Sequence, residues 1–179
     1  MAIRELVELA ARIAELERRF SGMMRHGTVA EVDTEAQRIR LDFGPAHGIS
    51  GRFLSPWIPY AQFSGALRVH TPPSIGQQFT AMSPNGDFQQ AVAVPLTHSS
   101  ANPSPSTAAD QNVLHFGDVT VTLAEDSLEI AVGDVRFKVD GANVELTGGQ
   151  VRHNGKNIGD SHIHSGVLSG PSVTGAPAN

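Results

Sequence analysis

From Val113 to about Ile158 the sequence alternates apolar and polar residues with a period of two, resetting at a turn every seven to nine residues. Residues i and i+2 of a strand share a face. The alternation therefore gathers Val119, Val121 and Leu123, then Leu128, Ile130 and Val132, then Val135, Phe137 and Val139, then Val144 and Leu146 onto one side. Thr120, Thr122, Glu129, Arg136, Lys138 and Glu145 take the other side, and Glu125-Asp126, Gly133-Asp134, Asp140-Gly141 and Gly148-Gly149 mark the turns. One chain of this kind is a meander of short hairpins whose apolar face stays wet and whose edges stay unpaired. Three such meanders wound about one axis would bury that face in an intertwined trimeric β-helix or β-prism, stabilised by stacked repeats. Half of a β-sandwich completed by another chain is the competing solution. Both demand association.

The rest of the 179-residue chain supports an all-β reading with an N-terminal helix. Aromatics make up only 6% of the residues, while 18 Gly and 11 Pro punctuate the chain in a way that suits short strands and turns. Residues 1–24 are expected to be helical, because Leu6, Leu9, Ile13, Leu16, Phe20 and Met23 alternate spacings of three and four. That spacing fits a heptad seam or the inner face of a short amphipathic helix lying on its own domain. Residues 25–97 read as strands near 27–32, 38–42, 51–54, 76–82 and 88–94, with Asn85-Gly86 as a hairpin signal. Five short strands in one such span suggest a small barrel of the OB-fold kind, with Trp57 and Tyr60 packing its edge. Residues 98–112, rich in Ser, Pro, Ala and Asn, read as a linker to the β-helix of residues 113–158. Residues 159–179 form a tip and tail.

With no cysteine, any metal must be held by histidine, carboxylate or backbone oxygen. Gly159-Asp160-Ser161-His162-Ile163-His164-Ser165-Gly166 supplies a candidate. In an extended segment His162 and His164 point to the same side. A trimer would bring six imidazole nitrogens to its axis, a donor set that suits Fe(II), Ni(II) or Co(II) better than four-coordinate zinc. A filled shell leaves no position for substrate, so such a metal would be structural. The remaining histidines, His26, His47, His70, His98, His115 and His153, are scattered and read as surface or loop residues.

Several function classes lose support on composition and motif. A net charge of -5 and a pI near 5.9 argue against a broad electrostatic grip on nucleic acid or anionic lipid. No stretch approaches the ~20 apolar residues of a membrane span, so the chain is expected to be made as a soluble protein. No nucleophile-elbow, zincin, Walker or dinucleotide-binding pattern occurs, and Asp160, Ser161 and His162 are contiguous rather than placed for a relay. The chain is therefore read as a non-enzyme.

Gly27-Thr28-Val29 through Val32-Asp33, Pro73-Ser74-Ile75-Gly76-Gln77-Gln78, Ser83-Pro84-Asn85-Gly86-Asp87 and His162-Ile163-His164 with its Gly/Pro-rich tail together resemble the baseplate assembly protein V family. These are the central tail spikes of Mu-like and related contractile-tailed phages, akin to pyocin-type particles and type VI secretion spikes. The resemblance implies a homotrimer at the baseplate tip of the virion tail, with its OB-fold barrels seated on the tail hub. A β-helix would project along the axis, and one iron ion (Fe2+) per trimer would be coordinated by His162 and His164 of each chain. It implies a mechanical role, in which sheath contraction drives the metal-capped prism through the host outer membrane and leads to genome ejection. Some larger relatives carry a lysozyme domain between barrel and β-helix, where this chain has only the linker. Two other readings compete: a metal-dependent β-barrel enzyme of the cupin sort, and an OB-fold module for oligosaccharide or single-stranded nucleic acid. The first needs further ligands and an open coordination position. The second needs a basic groove interleaved with aromatics, which an acidic chain with one Trp and one Tyr lacks.

Overall fold

Ala10, Ala11 and Ala14, set among Leu, Glu and Arg, are strong helix formers, and in the computed structural model they lie in helix α1, Ala2–Gly22. The structure describes residues 2–45, 51–163, 165–166 and 170. Glu8 lies four residues before Arg12 and bonds to it at 3.1 Å, the favourable order for a helix pair. All other regular structure among the described residues is β-strand or short 3-10 turn, so the protein is mostly β-sheet with one N-terminal helix. No helix among the described residues is long and apolar enough to cross a membrane. The chain divides into two compact units, Met1–Ser104 and Pro105–Asn179.

In the first unit the strands are β1 Met24–Asp33, β2 Arg38–Pro45, β3 Arg52–Leu54, β4 Ile58–Pro59, β5 Gln78–Met82 and β6 Val92–Pro95. The sheet runs β3-β2-β1-β5-β6, with β4 also paired to β2. A parallel bridge between Tyr60 and Ala93 links the residue after β4 to β6, and the Ala61 N–H donates to the Ala93 carbonyl at 2.8 Å. The path β1-β2-β4-β6-β5 thus returns to β1 as a ring. Ala30 is the extra residue of a bulge between Val29 and Glu31, the kind of irregularity that bends a strand around a small barrel. Inside the ring lie Val29, Ile39, Leu41, Ile58, Tyr60, Phe79, Ala81, Ala91 and Ala93, flanked by Val32, Phe43 and Phe88.

Ser55 fastens the wall beside β2. Its buried hydroxyl accepts from the Leu41 N–H at 2.9 Å and donates to the Pro56 carbonyl at 2.7 Å, while its own N–H donates to the Leu41 carbonyl. Outside this point the Arg40 guanidinium lies 5.9 Å from the Trp57 ring centre, and Arg40 Nε donates to the Ser55 carbonyl.

Asn85-Gly86 departs from the expected tight hairpin. Both residues take positive φ, 55° and 73°, yet residues 83–91 form a longer connection built from 3-10 turns at Pro84–Gly86 and Phe88–Gln90. Pro84 starts the first turn, and the Asp87 carboxylate caps the second by accepting from the Gln89 N–H. Phe88–Gln90 therefore lie outside the strand expected over 88–94. The end of α1 docks on the first turn so closely that a Cβ at Gly86 would stand 3.0 Å from the Arg19 carbonyl oxygen.

The second unit is a meander in the order β11-β10-β9-β8-β7: β7 Gln111–Phe116, β8 Val119–Ala124, β9 Ser127–Val132, β10 Val135–Asp140 and β11 Val144–Thr147. Its first four strands begin at Gln111, Val119, Ser127 and Val135, a spacing of eight residues. Gly117-Asp118 and Gly133-Asp134 make two-residue connections with only the glycine at positive φ, the arrangement of a type II′ hairpin. At β10–β11 the Asp140 carboxylate accepts from the Ala142 and Asn143 N–H groups at 2.9 and 2.8 Å. These bonds, with Lys138 nearby, hold its pKa below the usual aspartate range. Beyond β11, β12 Arg152–His153 and β13 Lys156–Asn157 form a minimal hairpin around Asn154-Gly155, both at positive φ.

Candidate functional site

Strand register turns the sequence alternation of the meander into a surface. Phe116 faces Val119, which faces Val132, which faces Val135. The next row joins Leu114, Val121, Ile130, Phe137 and Leu146, and a third joins Leu123, Leu128, Val139 and Val144. Apolar cross-strand pairs on one face are the stabilising unit of a sheet. Here they make one continuous apolar face that none of the described residues of the second unit covers: Phe116 is 87% exposed, Leu114 69% and Val144 66%. Contiguous apolar surface of this kind marks an interaction site. On the opposite face Glu129 stands between Thr122 and Lys138, Lys138 faces Glu145, and Arg136 lies 3.6 Å from Glu129. Solvated charge on one side and bare hydrocarbon on the other give the sheet a wet face and a docking face. Leu114 and Phe116 extend the docking face beyond the residues expected from sequence, where the Val113 end of the alternation carried no turn on its N-terminal side.

The second element is the histidine segment. His162 follows Gly159 in a turn, its N–H donating to the Gly159 carbonyl at 3.1 Å. Its ring Nδ1 lies 2.5 Å from the same carbonyl oxygen. A carbonyl only accepts, so Nδ1–H is the donor in this contact. A ring N–H donated to a backbone carbonyl is a bond that metal-ligating histidines commonly make. The donor chemistry at His162 therefore fits a metal. His164 lies outside the described residues. Among the described residues no three His, Asp or Glu side chains of one chain come together as a metal site. His162 belongs to the second unit, whereas the closed ring of strands belongs to the first.

Other histidines have local partners or loop positions. His26 Nδ1 lies 2.8 Å from Thr80 Oγ1, and His115 Nδ1 lies 3.1 Å from Thr120 Oγ1. His153 pairs with Lys156 in the β12–β13 hairpin, and His47 lies outside the described residues. Tyr60 is buried in the barrel core, and Trp57 is partly exposed beneath Arg40.

The third element is α1, whose apolar residues face solvent, from Leu6 at 71% exposure to Phe20 at 78%. Its partners within the first unit are confined to its C-terminal end, where Leu16, Phe20 and Met23 border a groove with Asn85.

The chain thus carries an exposed apolar helix seam, an exposed apolar sheet face and a histidine turn. No family model matches the chain. The chain is similar to the Spike protein of Escherichia phage P2, 33% identical over 111 residues, which is 62% of this chain and 50% of that protein. It thus spans about half the length of the curated relative it matches. The similarity supports a phage tail spike.

Proposed function

We propose that this chain is the central spike of a contractile phage tail or tail-like particle, acting as a homotrimer that pierces the host outer membrane. The observation that carries the reading is the uncovered face of the five-stranded meander, where Val119, Val121 and Leu123 of β8 face Val132, Ile130 and Leu128 of β9, and these face Val135, Phe137 and Val139 of β10. Three copies facing one axis bury these rows against one another and close a β-prism. The same arrangement turns the Thr, Glu, Arg and Lys rows outward to water. Similarity to the phage P2 spike protein supports the same reading.

In this reading the ring of strands in the first unit is an OB-type barrel. Its strand order and its parallel closure at Tyr60 and Ala93 support that assignment. The barrel seats on tail hub or baseplate proteins, and residues 98–112 lead to the shaft. His162 and His164 of three chains hold one iron ion through six imidazole nitrogens, which supplies a cross-link between chain ends and no open position for chemistry. The Gly159 carbonyl fixes the His162 ring before the chains meet. Force is transmitted by the ladder of strands, whose rows cannot shift by one residue without turning the apolar face outward. The protein is a component of the virion tail and acts at its baseplate tip.

Measuring the solution mass of the purified chain together with its metal content tests the proposal. A mass of three chains carrying about one transition metal per three chains is expected. A monomer, or one metal held by each separate chain, overturns it.

A further inference from the structure

Helix α1 carries an apolar seam for which the described residues of its own unit supply no cover along most of its length. Leu9 is 56% exposed and Leu16 65%. With Leu6, Ile13 and Phe20 as a positions, Leu9 and Leu16 fall at d, Arg12 at g and Glu17 at e. In a parallel coiled coil a g residue meets the e residue five positions later on the neighbouring helix. Arg12 and Glu17 stand five apart with opposite charge. An antiparallel pairing instead opposes g to g, and two of the g residues, Arg12 and Arg19, are both cationic.

We propose that α1 pairs, parallel and in register, with α1 of the other copies of this chain, forming a short coiled coil N-terminal to the barrel. This rests on the trimer proposed above, which sets the number of helices, because the mixed a and d residues do not themselves fix it. A seam this short is weak evidence of association by itself. Joined to a trimeric shaft, its copies meet at an effective concentration of roughly millimolar, so a weak seam becomes a populated one.

The full-length chain has no cysteine, so a single introduced thiol reports its own surroundings. Leu9→Cys treated with a short bismaleimide should give covalent dimers at a yield roughly tenfold above Ala11→Cys, which lies on the outer face. Leu16→Cys repeats the test at the next d layer in case Leu9→Cys fails to fold. Arg12→Glu added to Leu9→Cys should slow the reaction, and Glu17→Arg added to that variant should restore it. Particles with the mass of three chains but no preference for Leu9→Cys over Ala11→Cys overturn the coiled coil and leave the trimeric spike standing. Single-chain particles overturn both. Failure of the charge swap to restore cross-linking overturns the parallel register.

Discussion

Glu15 sits between two arginines on the surface of α1, with Arg18 Nε and Nη2 each 2.8 Å and Arg19 Nε 2.6 Å from its carboxylate oxygens. Hydrogen bonds from Arg18 first, and then Arg19, lower its pKa from 4.5 to about 2. The folded pKa is depressed, so the helix gains from this fork above the ordinary glutamate pKa and loses it as pH falls from 4.5 towards about 2. The side chains are solvated, so the effect is small and screened by salt. Circular dichroism of Glu15→Gln should show less helix than the parent near neutral pH at low salt, with the difference gone near pH ~2 and in molar salt. Inside the barrel the balance is reversed, because water cannot replace a lost partner. Ser55→Ala strips partners from the Leu41 N–H and the Pro56 carbonyl and should lower stability by about 1–3 kcal/mol in denaturant unfolding. Nothing in the sequence singles out Ser55: a serine before proline reads as a turn residue, and its value comes from Leu41, fourteen residues away in the chain.

The meander was the most legible element, because its information is local. Alternation assigns faces, the turns assign strand ends, and antiparallel hairpins leave no freedom in register. The first unit was legible as a small barrel of short strands, but the strand and bridge that close it were not. Its closure depends on β4, two residues long, and on a single parallel bridge, and neither is long enough to have a period. The connection at residues 83–91 was misread for a related reason. Asn85 and Gly86 take the backbone conformation their residue types favour, yet capping by Asp87 and the approach of α1 decide how long the turn is. Ile130 lies in the central row of the meander and separates the two fates of that face. Buried in a trimer, Ile130→Ala should cost about 2–5 kcal/mol per chain; left in water it should cost no more than about 0.5 kcal/mol. Denaturant unfolding with mass measured alongside distinguishes them.

For the whole molecule, the sequence signalled association through what a single chain leaves unfinished. Two apolar faces, one helical and one on a sheet, have no cover of their own in either unit, and His162 alone cannot fill a coordination shell. In the proposed trimer what completes them lies in other chains, so pattern alone could call for partners without displaying the finished site. Removing the proposed metal with a strong chelator should lower the unfolding temperature while the mass of three chains persists, because the rows of the shaft hold the trimer independently of its end. The eight-residue spacing of β7 to β10 has a consequence of its own. Each strand with its turn is an interchangeable rung, and adding two rungs returns the chain to the same side of the ladder with every face unchanged. Such an insertion advances the sheet by roughly 10 Å. Length is thus a quantity that genetic duplication can adjust in whole steps without redesigning either end.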